Sequence, residues 1–408
     1  MAVNLSPPDK NTLFPVAGIR LSVASAGIKT PGRKDVVLIE MAEGSHCAAV
    51  YTRNAFCAAP VIVAREHQQQ ASPRFLLVNS GNANAGTGDQ GLAAARRCCD
   101  AVAAHGYVLP QQVLPFSTGV IGQQLPVAKI EQVLPSAFDN LSADGWFDAA
   151  YGIMTTDTVA KATSERVLID GREVTVSGIS KGAGMIRPDM ATMLAYIATD
   201  AAIAPELLQP LLNDVMNESF NRISVDGDTS TNDACVLMAT GQAVNTLIDN
   251  SHSAQYQQLA NAISKVCRYL AKAIVRDGEG ATKFISIVVE QGKTSDECCL
   301  VAYTIAHSPL VKTALFASDP NWGRILACVG RSGLVDLDLS KISIYLDDVC
   351  VIEAGQPAAD YTEDKGQQVM NNAEISIRVL LGRGAALETV WTCDFSYDYV
   401  KINAEYRT

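Results

Sequence analysis

The chain is poor in charge, in histidine and in long apolar runs. Only 18% of its 408 residues are charged. No apolar run reaches the roughly 18 residues that a membrane-spanning helix needs, so a transmembrane protein is not expected. The opening residues MAVNLSPPDK carry no basic segment followed by an apolar stretch. A secretory signal is therefore not expected, and a cytoplasmic location is. Basic residues number 32 against 43 acidic, a net charge of −11. Nucleic-acid binding thus lacks its usual electrostatic drive, and no nucleic-acid partner is expected. The eleven cysteines include no C-x-x-C pair, and Cys98–Cys99 and Cys298–Cys299 are adjacent, which is poor spacing for a tetrahedral metal site. The five histidines are scattered. These residues predict no metal and reduced, mostly buried thiols.

What is present is apolar material, 48% of the chain, enough for a large core. Leu92, Ala95, Cys99, Val102 and Ala103 recur at helical spacing over 91–105. Leu259, Ile263, Val266, Leu270 and Ile274 do the same over 256–275. A third helix is predicted over 205–219, with Pro210 as a kink or early break. Residues 36–39 and 75–78 are short apolar runs typical of buried strands. Residues 166–169 and 174–177 flank Asp170-Gly171, a strong hairpin signal. Residues 284–289, 342–346 and 375–380 are β-branched strands by pattern. No repeat, low-complexity tract or long linker appears. The expected fold class is α/β, with mixed sheets covered by helices in layers.

Familiar cofactor motifs are missing or out of context. There is no phosphate-loop motif and no H-E-x-x-H. Gly178-Ile179-Ser180-Lys181-Gly182 fits G-x-S-x-G, but a Gly/Pro-rich loop follows where a nucleophile elbow needs a helix. Residues 86–91 fit G-x-G-x-x-G, but no acidic residue occurs from 101 to 130 to hold a ribose. The Gly/Asn-rich stretch 80–88 follows a strand and precedes a helix. It serves either as a turn or as an anion cradle. Ser117-Thr118-Gly119 offers one hydroxyl and backbone N–H groups, the material of either an oxyanion hole or a plain turn. In Lys181–Leu194, two glycines and a proline shape a loop before Thr192 opens a strand-like run.

Taken together, these blocks resemble the ornithine acetyltransferase family (glutamate N-acetyltransferases of the arginine pathway). The resemblance is carried by residues 181–194, Ser80–Gly88, Ser117–Gly119, Met154–Thr158, Asp226–Asp233, Asp277–Gly280 and Asp319–Arg324. It runs from about residue 14 to Thr408. Gly86 departs from it, since many relatives carry cysteine there. The resemblance implies a two-sheet α/β sandwich, superficially like the N-terminal-nucleophile hydrolases. It implies self-cleavage between Ala191 and Thr192 into an α-chain, 1–191, and a β-chain, 192–408, interlocked as one unit. Two of each would form a heterotetramer.

The implied reaction moves the acetyl group of N2-acetylornithine to Thr192 and then to glutamate, with no cofactor. Thr118 and Gly119 would form the oxyanion hole. Thr155, Lys181, Thr192, Glu279, Asn403 and Thr408 would bind substrate, with Lys181 suited to a carboxylate and Glu279 to an ammonium. Read alone, Lys181 and Glu279 are ordinary solvated charges, and the last residues of a chain are by default disordered. Acetyl-CoA as a second donor is left open by these residues. Two other readings compete: a self-processing amidase that sends the acyl group to water, and an uncleaved metabolite-binding protein.

Overall fold

A computed structural model describes residues 2–187 and 193–405. The described chain divides into two compact units. The larger takes Pro7–Asn221 and Asp228–Ile274, and the smaller takes Met1–Ser6, Arg222–Gly227 and Val275–Thr408.

The larger unit contains two sheets. One has the order β1 (Ile19–Ala24), β2 (Val36–Met41), β4 (Phe75–Asn82) and β5 (Val113–Val120). The other has the order β3 (His46–Tyr51), β10 (Ala234–Ala239), β8 (Leu194–Thr199), β7 (Arg172–Lys181) and β6 (Lys161–Ile169). Alternate residues explain how these sheets stack. Val37, Ile39, Leu76, Val78, Leu114 and Phe116 point inward and meet Leu194, Tyr196, Val236 and Met238 in one buried core. Val36, Leu38, Phe75, Leu77 and Val113 point the other way. There they are covered by α1 (Ala59–Gln70), α2 (Gly88–Gly106) and α3 (Val127–Asp139), while α4 (Trp146–Gly152) adds Trp146 to the inter-sheet core. On the far face of the second sheet, Val266 and Leu270 of α6 (Ala254–Arg276) close over Gly178 and Ile197. α5 (Pro205–Glu218) lies against β3. The larger unit is therefore helix, sheet, sheet, helix, as the α/β layered class requires.

The second sheet draws β3, β6 and β7 from before residue 191, and β8 and β10 from after it. β7 and β8 are antiparallel neighbours, with Lys181 opposite Leu194, and β8 runs parallel to β10 with Leu194 opposite Ala234.

The smaller unit is one sheet with helices on one face. Its order is β14 (Gln356–Pro357), β13 (Val349–Glu353), β12 (Ser343–Leu346), β15 (Glu374–Leu380), β11 (Phe284–Gly292), β16 (Ala386–Cys393) and β9 (Ile223–Ser224). Ile285, Ile287 and Val289 alternate into a core with Ile375, Ile377 and Val379. The core is completed by α7 (Ser295–Ala306), α8 (Pro309–Phe316), α9 (Trp322–Gly330) and α10 (Glu363–Met370). A last helix, α11 (Tyr397–Ala404), starts at Ser396, whose side chain caps Tyr399 N. Among the described residues no single helix is long and apolar enough to cross a membrane.

The predicted helices over 91–105, 205–219 and 256–275 are α2, α5 and α6, and α5 continues through Pro210. The hairpin turns at Asp170 and Gly171, both at positive φ, the backbone a two-residue turn of this kind demands.

Phe116 tests the inter-sheet core, because its ring meets Tyr196 of the other sheet edge-on at 5.4 Å. Phe116→Ala leaves a cavity there and is expected to cost about 3–5 kcal/mol. Urea unfolding would show it as a lowered midpoint at unchanged slope.

Candidate active site

The candidate residues of the larger unit are placed by strand ends. Thr118 and Gly119 lie near the end of β5, beside Ser80 and Gly81 of β4, where the pairing register slips at Asn82. Gly119 has φ +134, and a Cβ there would stand 2.3 Å from the backbone carbon of Gly81. No other residue fits without parting the two strands. The slip interrupts the ladder locally, which turns backbone groups away from the sheet.

Asparagine side chains hold this corner. Ser117 Oγ donates to Asn79 Oδ1 at 2.6 Å, and Asn79 Nδ2 donates to Asn82 O at 2.8 Å. Asn82 Oδ1 accepts from Asn84 N at 2.8 Å. Asn232 Nδ2 donates both to Ala83 O, at 2.6 Å, and to Ser117 O, at 2.9 Å. The 80–88 stretch thus serves as a strand-to-helix turn that also braces Ser117-Thr118-Gly119. Each member of the network has a partner, the condition under which a buried polar network rigidifies its surroundings.

A second group gathers around Asp157. Its Oδ1 accepts from Lys161 Nζ and from Gly182 N, both at 2.7 Å, and its Oδ2 accepts from Thr155 N at 2.9 Å. The side chains of Asp157 and Lys161 are fully buried. Burial disfavours the carboxylate, yet Lys161 and Lys181 outweigh it and hold Asp157 well below the ordinary carboxyl range. Asp157 therefore fixes the backbone of Thr155 and the glycine next to Lys181.

Lys181 is 9% exposed, which removes the solvated-charge reading. Its charge reaches a second buried carboxyl, Asp233, which ends the loop before β10. Burial pushes Asp233 well above the carboxyl range, against the pull of Ser230 and Lys181.

Glu279 and Asn403 belong to the smaller unit. Glu279 is 8% exposed, again unlike a solvated surface charge. Asn403 lies on α11 rather than on a free arm, and its Nδ2 donates to Glu279 Oε2 at 2.9 Å. Gly280 lets this helix come close, since a Cβ there would sit 2.5 Å from Tyr399 N. Ala191, Thr192 and Thr408 lie outside the described residues.

Thr118–Gly119 and the Asp157–Lys181 group are joined by a continuous run of residues, 230–233, whose Asn232 braces one and whose Asp233 faces the other. Asp157, Lys161, Asn232 and Asp233 were not singled out from the sequence, although Asp157, Asn232 and Asp233 fall inside the resembling blocks. A usable signal was present: charged residues inside otherwise apolar or small-residue stretches. Among the described residues, no group of three or more His, Cys, Asp or Glu could hold a metal ion. All eleven cysteines are unpaired, and most are buried.

Comparison with known proteins gives a consistent result. The ArgJ family model matches residues 20–408. The chain is 61% identical over 407 residues to the arginine biosynthesis bifunctional protein ArgJ of Methylococcus capsulatus, covering 99% of each. It is 58% identical over 408 residues to that of Pseudomonas syringae pv. tomato, covering 100% of each. Among solved structures, it is similar to the bifunctional protein of Bacillus halodurans, at 39% identity and TM-score 0.49 over 51% of this chain and 97% of that one. It is also similar to the ornithine acetyltransferase of Mycobacterium tuberculosis complexed with ornithine, at 34% identity and TM-score 0.40 over 43% of this chain and 94% of that one.

The Asp157 group yields a pH prediction. A carboxyl whose folded pKa is depressed stabilises the fold fully above its unfolded pKa, about 3.9, and loses that contribution as pH falls towards the folded value. Stability of the native protein should therefore drop more steeply below about pH 4 than that of Asp157→Asn. Removing the partner, in Lys161→Met, should cost about 3–5 kcal/mol at neutral pH. Urea unfolding across pH measures both, and equal acid slopes for the native protein and Asp157→Asn would refute the first.

Proposed function

The chain belongs to the ArgJ family, and from that membership we propose that it is an acetyltransferase of arginine biosynthesis. It moves the acetyl group of N2-acetylornithine to glutamate through an acetyl-Thr192 intermediate. The observation that carries this reading is end-to-end identity of 58–61% with proteins named as bifunctional enzymes of arginine biosynthesis. The word bifunctional also favours a second activity, acetylation of glutamate from acetyl-CoA, with no resident cofactor. The working assembly on this reading is two α-chains, 1–191, and two β-chains, 192–408, in the cytoplasm.

The chemistry begins with Thr192. Its Oγ attacks the Ala191 carbonyl, the peptide becomes an ester, and water hydrolyses it. Thr192 then carries a free α-amine, with an ordinary pKa of roughly 7.7–8.0. That amine takes the Oγ proton as Oγ bonds the acetyl carbon, so nucleophile and base are one residue. Thr118 Oγ–H and Gly119 N–H receive the negative charge of the tetrahedral oxygen. A donor on a strand end locked by Gly119 and the asparagine network is preorganised, which is the condition for large transition-state stabilisation.

Substrate recognition divides by charge. Buried Lys181 suits a carboxylate, and Glu279, oriented by Asn403, suits an ammonium. Buried polar groups discriminate strongly, because a substrate lacking the matching group leaves them unpaired. Thr155 is presented by Asp157, and Thr408 is assigned with them on the resemblance. A hydrolase reading differs only in the acceptor, so glutamate-dependent transfer without net release of acetate decides between them.

Two outcomes test this reading. The purified protein should run as chains of about 20 and about 23 kDa, when 43.4 kDa is shared by residue count. N-terminal sequencing should find Thr192 first in the larger chain. Thr192→Ala should stay whole and transfer nothing, whereas Thr192→Ser should retain part of both activities. Full transfer by Thr192→Ala would remove the nucleophile assignment.

Thr118→Ala isolates the oxyanion donor. On this mechanism kcat falls by about 10²-fold while KM for acetylornithine changes little. Assays with acetylornithine and with acetyl-CoA as donors, each against glutamate, measure it for both activities. An unchanged kcat would leave Thr118 a turn residue.

A further inference from the structure

Glu279 sits in a turn that distant pieces of chain hold in place. α6 ends at Arg276, and the last carbonyls of a helix have no partner within it. Val275 O accepts from Gly278 N at 3.1 Å, and Arg276 O accepts from Val3 N at 2.8 Å. Gly278 O then accepts from Ala281 N at 2.9 Å, which places Glu279 inside a second tight turn.

Residues 2–4 do more than cap that helix end. The Arg276 guanidinium donates to Val3 O at 3.2 Å and takes both oxygens of Glu374, at 2.7 and 2.8 Å. Asn4 Nδ2 donates to the same carboxylate at 2.8 Å. Glu374 opens β15 opposite Phe284 of β11, and the Arg276 guanidinium lies over the Phe284 ring, 4.2 Å from its centre. Val3 is 6% exposed, so the segment is packed as well as bonded. Ala2, Val3 and Asn4 share the lining of a 340 Å³ cleft with Gly280, Ala281 and Thr282. Of the segment 1–191, the smaller unit contains only Met1–Ser6.

We propose that residues 2–4 are a positioning strap for Glu279, fixing the carboxylate where it receives the ammonium of the acetyl donor. This rests on the reading of Glu279 as the ammonium-binding residue. The strap itself touches no substrate. It acts through Arg276, three residues before Glu279, by tying the end of α6 to the β11–β15 edge. Asn403 of α11 holds the Glu279 carboxylate directly, and the strap holds the backbone that carries it. On the cleavage reading, strap and carboxylate lie on different product chains, joined by these hydrogen bonds. A charge placed this way discriminates donors by position, and displacement of about an ångström is enough to weaken it.

The test uses the full chain and two donors against saturating glutamate: N2-acetylornithine, and N2-acetylnorvaline, which has the same carbon chain without the δ-amine. The native protein should prefer acetylornithine by about 10²-fold or more in kcat/KM. Deleting residues 2–4 should cut that preference by about tenfold, through a raised KM for acetylornithine, with kcat and the KM for acetylnorvaline little changed. Asn4→Ala, a milder variant, should cut it by about threefold. Glu279→Gln should cut it at least as far as the deletion, and the deletion added to Glu279→Gln should cut it no further. An equal fall for both donors, or an unchanged preference in the deletion variant, overturns the proposal. If the deletion variant does not fold, an unchanged preference in Asn4→Ala overturns it, assigning the strap to folding. A native protein that transfers acetyl but keeps its preference in Glu279→Gln refutes the ammonium role of Glu279, and one that transfers no acetyl refutes the acetyltransferase reading. The proposal falls with either, and the two failures are told apart by whether the native protein is active.

Discussion

Asp157 is a carboxylate with no access to water, and a buried charge survives only when every lone pair is used. Its two oxygens take hydrogens from Lys161, Gly182 and Thr155. These partners come from three places: the start of β6, the end of β7 and the loop after α4. The requirement to satisfy one anion therefore fixes three chain segments at once. It also sets the balance of charge around Lys181, because Asp157 is committed to Lys161 and to backbone. The charge of Lys181 acts on both buried carboxyls, Asp157 and Asp233.

The layered core makes that arrangement rigid. β8 and β10 are buried along their whole length, with one face in the inter-sheet core and the other against helices. Loops that leave such strands have fixed ends. Gly182, Leu194 and Asp233 are all within one residue of a ladder pair, so their backbones inherit the precision of the sheet. Sites on strand ends are held more closely than sites on free loops, and acyl transfer is sensitive to displacements of an ångström.

Much of this was legible in the residues, for identifiable reasons. α2 and α6 keep a 3.6-residue apolar period over many turns, and Asp170-Gly171 supplies two consecutive residues that accept positive φ. Other elements hide. α1 opens Ala59-Pro60-Val61-Ile62-Val63, a β-branched run that favours a strand until its packing on β5 decides. α7 is apolar on most sides, so its periodicity is faint. β10 is buried on both faces and shows no alternation at all. At the site, the family resemblance pointed to Thr118, Gly119, Lys181 and Glu279. It could not reveal that Lys181 and Glu279 are buried, nor that Asp157 spans 25 residues to Gly182. Those are tertiary facts: they depend on which strands become neighbours.

The same sheet explains how a chain could be cut and keep its site. On the proposed mechanism the break falls between β7 and β8, which pair with each other from Val176–Thr199 to Lys181–Leu194. β8 is also paired with β10, and β10 with β3. The strands that would belong to the two product chains therefore alternate across one hydrogen-bonded surface, and none of these ladder bonds runs through the 191–192 peptide. Hydrolysis there would remove a covalent link and leave these ladders and both apolar faces in place. Chain connectivity at that point is dispensable because the sheet already supplies it. Just after the proposed break, Leu194 is paired with Lys181 on one side and Ala234 on the other, and Met193 O accepts from Ala234 N.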